Sequence, residues 1–375
     1  MKIKAAVLYE MGKAGPYATS RPLCIEEVDL EGPGFNEVLV KIKAAGLCHS
    51  DLSVINGIRP RPMPMVLGHE AAGEVVELGH MVDDLKIGDH VVFAFLPSCG
   101  RCAHCVTGRA ALCEPGAKAN GEGVLMGGHK RIKKETMYYH HHLGVSGFSE
   151  YAVASVNSLV KIDVDIAFDI AALFGCAIMT GVGALVNTAQ VRLGDSVLVV
   201  GLGGVGLSAI LGAIAAGARQ IIGADINPYK RQKALELGAD EVIDASDPNA
   251  LERLQEITRG GVDIAVEFAG AIPALEFAMQ ATKRGGTTIT GALPHPDARL
   301  SILPLNLVGM EKTLKGSYLG SCVPKRDIPN YLELYKNGRL PVEKLISHRI
   351  SLAQINQGFD RMAKGEGIRQ VIVLD

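Results

Sequence analysis

The stretch SVLVVGLGGVGLSAILGAIAAGA, residues 196–218, decides the fold. A run of aliphatic residues, 197–200, leads into Gly201, Gly203, Gly204 and Gly206, and an apolar segment of helix length follows. No charged residue occurs from 197 to 218, so length alone would allow a membrane span. Six glycines interrupt the stretch, four of them clustered directly behind the aliphatic run, which suits a strand, a tight turn and the opening of a helix.

The same alternation continues outward. Strands are expected at 220–224, 241–243, 262–268 and 287–290, with a helix to 218, another over 229–237 and helix-length segments between the rest. Repeated βαβ units of this kind predict an α/β fold with a parallel, doubly wound sheet covered by helices on both faces. Before about residue 175 the pattern is different. Short strand-like runs at 37–42, 73–78 and 90–94, punctuated by Gly, Pro and Asp, predict an irregular β-rich domain. From about Tyr318 strand and helix patterns mix, and the chain is expected to return to that first domain.

A chain of 375 residues is enough for two domains of roughly 150 to 200 residues. With 48% hydrophobic and 21% charged residues, neither disorder nor a fibrous repeat is indicated. A formal charge of −2 excludes the basic excess a nucleic-acid surface needs, and a small neutral substrate is expected. The start, MKIKAAVLYE, has no apolar leader core, which predicts a cytoplasmic protein with no membrane partner. In that compartment thiols stay reduced, so the eight cysteines are expected to be ligands or buried thiols rather than disulfides.

Cys99, Cys102, Cys105 and Cys113 stand in CGRCAHCVTGRAALC. Two-residue gaps let successive thiolates turn onto one ion and a fourth close a tetrahedron, which predicts a structural zinc with no open position. An iron–sulfur cluster would accept the same thiolates. His104 inside this loop is expected to be a solvated residue. In the glycine-rich turn, Gly201, Gly203, Gly204 and Gly206 would let a backbone approach a pyrophosphate lying at the helix N-terminus. Asp225 ends the next strand, 19 residues after Gly206. Its carboxylate would bond the adenosine ribose and repel a 2′-phosphate, predicting NAD over NADP; capping the helix that opens at NPYKRQ is the alternative. Cys48 in GLCHSD, His69 in GHE and Cys176 in GCAIMTG are too far apart for spacing to join them.

The segments GLCHSD, GHEAAGEVVELG, the cysteine quartet, GCAIMTG and GLGGVG occur in an order that resembles the medium-chain zinc alcohol dehydrogenases over nearly the whole chain. That resemblance implies a six-stranded Rossmann domain over 178–317 and a GroES-like catalytic domain over 1–177 and 318–375. It implies two zinc ions, one held by Cys48, His69 and Cys176 with Glu70 as an exchange ligand, and Asp51 orienting the ligand histidine. The zinc would act as a Lewis acid on an alcohol oxygen, and hydride would pass to NAD, or return from it to an aldehyde. Ser50 matches the hydroxyl that takes the substrate proton. His49, Thr180, Val205, Lys230 and Arg369 match cofactor contacts. Two positions depart from many relatives: Ser53 stands where a histidine often ends the proton relay, and His49 where an arginine often faces the pyrophosphate.

The resemblance further places Phe95 and Leu143 in the alcohol pocket and Arg59, His142 and Tyr318 near its entrance, which suits primary aliphatic or aromatic alcohols. A glutathione-dependent formaldehyde dehydrogenase is the second reading, weakened because CEPGAK after the fourth quartet cysteine has no arginine. A nucleotide-binding homologue without activity is a third. The long segment 117–147 resembles the insertion of dimeric relatives, so a homodimer is expected, with a tetramer as the alternative. Within it, Tyr138, Tyr139 and His140 to His142 are expected to form a pocket-rim loop, a third metal site being the other option.

Overall fold

A computed structural model describes residues 1–375. It divides into two compact units, the first Met1–Cys176, Val323–Asn330 and Ile346–Asp375, the second Ala177–Cys322 and Tyr331–Leu345.

The second unit holds a six-stranded parallel sheet. Its spatial order is Glu241–Asp244, Gln220–Asp225, Ser196–Val200, Val262–Glu267, Thr282–Thr290, Thr313–Gly316. The strand that opens the glycine turn is central and buried along its whole length, as a strand covered on both faces must be. Leu198, Val200, Ile222, Ile243, Leu254 and Ala278 form the core around it. Strand Thr282–Thr290 starts five residues before the expected 287, because a register shift between the pairs Val262↔Thr282 and Ile264↔Thr287 absorbs the extra residues. Residues 331–345 also belong here rather than with the first unit. Tyr331 places its hydroxyl 3.7 Å from Cys322 Sγ, and the turn Val342–Leu345 packs on helix Gly204–Ala215.

The first unit is built from two sheets. Five short strands, Lys2–Leu8, Leu23–Leu30, Ile132–Lys134, Met137–His141 and Met65–Val66, close a small barrel around Ile3, Val7, Val28, Leu30, Val66 and Tyr139. The second is seven-stranded, with Glu37–Gly46 at its centre between Glu70–Leu78 and Arg369–Val373, and Tyr151–Ser155 also pairing with it. The expected pocket-rim loop at 138–142 is therefore mostly a strand. Tyr139 and His141 alternate inward and Tyr138 and His140 outward, the two-residue period of a half-buried strand.

The segment Phe168–Ala189 is helical throughout and, unlike 197–218, is the helix long and apolar enough to cross a membrane; 89% of its apolar window is buried inside the protein. It reads as a core helix. Two π-helical stretches, Phe174–Ile178 and Ala184–Ala189, interrupt it.

Phe148 pins the first unit together. Its backbone accepts from Ala6 and donates to Leu67 O, and its fully buried ring meets Phe359 edge-on at 6.1 Å. Phe148→Ala is expected to destabilise this unit by about 3–5 kcal/mol, read as a lowered midpoint in denaturant unfolding; a loss under about 1 kcal/mol would contradict a rigid core there.

Candidate active site

Three segments of the first unit deliver the separated residues. Strand Glu37–Gly46 runs out through Leu47 to Cys48, which caps helix His49–Ile55. Gly68 turns the chain at φ 91°, where a Cβ would stand 2.6 Å from the Phe148 nitrogen, so only glycine brings His69 inward here. Cys176 projects from the first π-helical stretch, a distortion common at functional sites. The donor atoms of Cys48, His69, Glu70 and Cys176 lie within 4.8 Å of one another, and all four residues are buried.

Asp51, in the first turn of the short helix, is fully buried. Its Oδ1 accepts from the Gly68 amide at 3.1 Å and pairs with His69 Nδ1 at 3.1 Å. With Nδ1 engaged, His69 turns its other nitrogen toward the thiols, as a ligand imidazole must. Behind Glu70, Arg369 is buried and donates to Oε2, while Oε1 is buried with no hydrogen-bond partner. Two thiols, an imidazole and an unpaired carboxylate oxygen match the donor preferences of zinc.

The charges respond to this crowding. A hydrogen bond from Cys176, aided by His69 and opposed by burial, holds the Cys48 thiol well below the usual range. The same hydrogen bond, together with burial, pushes Cys176 well above it. Burial works against a charged His69, yet Asp51 and Cys48 outweigh it and raise the imidazole well above its ordinary value. Burial also lifts Glu70 to about 8, with Arg369 opposing.

Cys99, Cys102, Cys105 and Cys113 form a second group within the same 4.8 Å limit. The Cys102 amide donates to Cys99 Sγ at 3.3 Å and the Cys99 amide to Cys113 Sγ at 3.2 Å, the pattern expected of thiolates folded around one centre. With no carboxylate or imidazole in the set, it is closed by sulfur alone. His104 lies outside it, 3.8 Å from Glu114.

The three consecutive histidines go three ways. His140 stands between Lys130 and the Glu122 carbonyl. His141 accepts the Arg131 amide inside the first unit, and burial pushes it down to about 3, so it is neutral there. His142 is buried, with Nδ1 3.1 Å from Asp51 Oδ1. It sits behind the ligand histidine rather than on an exposed rim. Phe95 and His142 each meet the His69 ring edge-on at 5.5 Å, and Leu143 follows in a left-handed conformation at φ 53°. Ser50 is half-buried in the short helix, whereas Ser53 spends its hydroxyl on the His49 carbonyl at 2.9 Å. His49 is exposed and Arg59 half-buried.

In the second unit, Gly201 has φ 88° and Gly206 packs on the Gly201 carbonyl so closely that a Cβ would lie 1.9 Å away. Helix Gly204–Ala215 therefore begins hard against the turn, and no side chain caps its first amides. Asp225 accepts the Leu202 amide at 2.7 Å and the Asn227 amide at 2.8 Å, bracing the turn. The cap of helix Pro228–Leu237 is Asn227, whose side chain accepts from Tyr229, so Asp225 is not used for it. A carboxylate has further lone pairs to offer a ligand. Val205 and Lys230 are half-buried nearby in sequence, Thr180 is buried and Tyr318 is exposed.

Two contacts of the first site escape sequence reasoning. Arg369, matched to a cofactor contact, lies against Glu70, and His142 lies against Asp51; both partners are so remote in sequence that no spacing signals them.

A dication entering the set must displace the protons that Cys176 and His69 hold in its absence. Zinc uptake is expected to release protons, and the apparent affinity to fall by about tenfold or more per pH unit as pH drops from 8 to 6. Competition against a chromophoric chelator measures this, with Cys176→Ser isolating the site; an affinity independent of pH would contradict the donor set.

Residues 34–164 match the family described as alcohol dehydrogenase GroES-like domain, and residues 204–337 the family described as zinc-binding dehydrogenase. Alcohol dehydrogenase 1 of Zea mays is 39% identical over 380 residues, covering 100% of this chain and 98% of its own. Benzyl alcohol dehydrogenase of Acinetobacter calcoaceticus superposes with a TM-score of 0.93 at 32% identity, covering 100% of both chains. A zinc-binding dehydrogenase of Sinorhizobium meliloti solved with NADP gives 0.80 at 25%, again over 100% of both chains. On these matches and on the two donor groups, the chain belongs to the medium-chain zinc alcohol dehydrogenase family.

Proposed function

We propose that the protein oxidises primary alcohols, aliphatic or aromatic, to aldehydes and catalyses the reverse reduction, with NAD as the hydride carrier and one zinc in each donor group. The observation that carries this reading is the meeting of Cys48, His69 and Cys176 beside a carboxylate oxygen that has no other partner. Zinc held there supplies Lewis acidity toward the substrate oxygen. Asp51 holds the His69 ring in the tautomer a ligand requires. Ser50 Oγ hydrogen-bonds the substrate hydroxyl and accepts its proton while passing its own on, by way of the cofactor ribose, to solvent water, and Phe95 and Leu143 line the pocket around the reacting carbon. Ser53 is bound within its own helix and stands outside the relay.

Asp225 favours NAD, since two backbone amides hold its carboxylate beside the glycine turn, where a 2′-phosphate would meet a negative charge. The benzyl alcohol dehydrogenase among the solved relatives supports an aromatic substrate. For assembly, the reading is a homodimer. Strand Thr313–Gly316 ends its sheet with one edge open, and Leu303, Leu305 and Val308 beside it in sequence are exposed, a surface that a second copy would cover.

Zinc-loaded enzyme is expected to form NADH from benzyl alcohol or ethanol, with activity lost to a chelator and restored by zinc. No oxidation across a panel of primary alcohols would overturn the reading in favour of an inactive homologue. Asp225→Gly should cut the ratio of kcat/KM for NAD over NADP by about tenfold or more; a preserved ratio would remove Asp225 from the preference. Ser53→Ala should leave the pH–rate profile of the wild type in place, and a profile shifted by a full pH unit would return Ser53 to the mechanism.

A further inference from the structure

His142 occupies a position that the proposed reaction does not use. It is buried, and Nδ1 lies 3.1 Å from Asp51 Oδ1, the oxygen that already serves His69 Nδ1 and the Gly68 amide. Close as it is, the contact is not a full hydrogen bond, and the second oxygen of the carboxylate, Oδ2, is buried with no partner. A small rotation of either group would align the pair. The backbone of His142 is fixed: its amide donates to Ser146 Oγ at 3.2 Å, and its carbonyl accepts from Val145 at 3.0 Å and Ser146 at 3.3 Å. Its ring stands at 90° to that of His69, with centroids 5.5 Å apart.

We propose that His142 is a positioning residue for the zinc site: it locks the Asp51 carboxylate beside its bond to His69, and so fixes the ligand imidazole. A carboxylate held at one oxygen by one ring and one amide can still swing about its Cβ–Cγ bond. A second imidazole against it removes that freedom, and outer groups of this kind set how firmly a ligand holds its metal. Phe95 supplies the matching edge contact to His69 but carries no polar atom on its ring, so only His142 can act through Asp51.

This inference rests on the zinc reading above, and the two are separable by experiment. The readout is the rate at which zinc passes from the full-length protein to a chromophoric chelator, followed for the zinc that Cys176→Ser abolishes. His142→Phe keeps the ring volume and loses Nδ1, whereas His142→Asn keeps a donor at the same branch point. His142→Phe is expected to speed release by about tenfold or more, and His142→Asn to stay within about threefold of wild type. In an Asp51→Asn background, His142→Phe should add less than a factor of about two, since its effect runs through that carboxylate. Release from the cysteine quartet, unchanged in every variant, shows that the fold is intact. Equal rates for wild type and His142→Phe would overturn the proposal, as would equal impairment of the Phe and Asn variants, which would make the role one of packing. A wild type from which Cys176→Ser removes no zinc would instead overturn the zinc reading itself.

Discussion

A single buried carboxylate oxygen, Asp51 Oδ1, joins two segments of the first unit and has a third against it. It receives the amide of Gly68, the imidazole of His69 and, at similar distance, that of His142. Burying a carboxylate without partners costs several kcal/mol, so this arrangement holds only while the donors stay in place. The glycine turn at 68, the first turn of helix His49–Ile55 and the start of the turn after strand Met137–His141 are each positioned by it. The metal donors inherit their geometry from that constraint, since His69 can aim at Cys48 and Cys176 only when its ring is held from behind.

Charge balance in the site follows the same logic. Arg369 answers Glu70 and, with Cys48 and Cys176 also nearby, faces three acidic groups in a space closed to water. A buried guanidinium keeps its charge at any working pH and so provides a fixed positive neighbour, while the thiols and the carboxyl adjust their protonation around it. A dication would take over part of that neutralisation. Glu70 has one oxygen on Arg369 and the other, without a hydrogen bond, 4.0 Å from His69 Nε2, so it stands between the guanidinium and the donor set.

Most of the second unit's sheet was legible, because a parallel sheet demands long aliphatic runs at helix-length intervals, but its mostly exposed edge strand Thr313–Gly316 carries no such run and was missed. The strand at 196–200 ends where its last valine meets Gly201, and its boundaries follow from that junction. Residues 282–286 were not legible, since a register shift is decided by the partner strand. The barrel of the first unit was seen only as irregular β, since strands as short as Met65–Val66 leave no periodic signal. Among the site residues, the quartet was readable from its spacing alone. Cys48, His69 and Cys176 needed the family resemblance to be joined at all, and the burial of Arg369 and His142 was hidden because their partners stand 299 and 91 residues away.

The pairing of Val371 with Gly46 and Val373 with Ala44 places the last strand of the chain beside its central one. Tyr151–Ser155 covers residues 37–41 on the same edge, so residues 44–46, the part that leads to Cys48, stay unpaired there until residues 371–373 have been made. The six-stranded sheet, whose last strand ends at Gly316, can form before that, with residues 331–345 packing onto its unit afterwards. For that interval the seven thiols of the first unit, Cys24 through Cys176, sit in an unfinished domain, and the edge beside Cys48 closes only when residues 371–373 arrive.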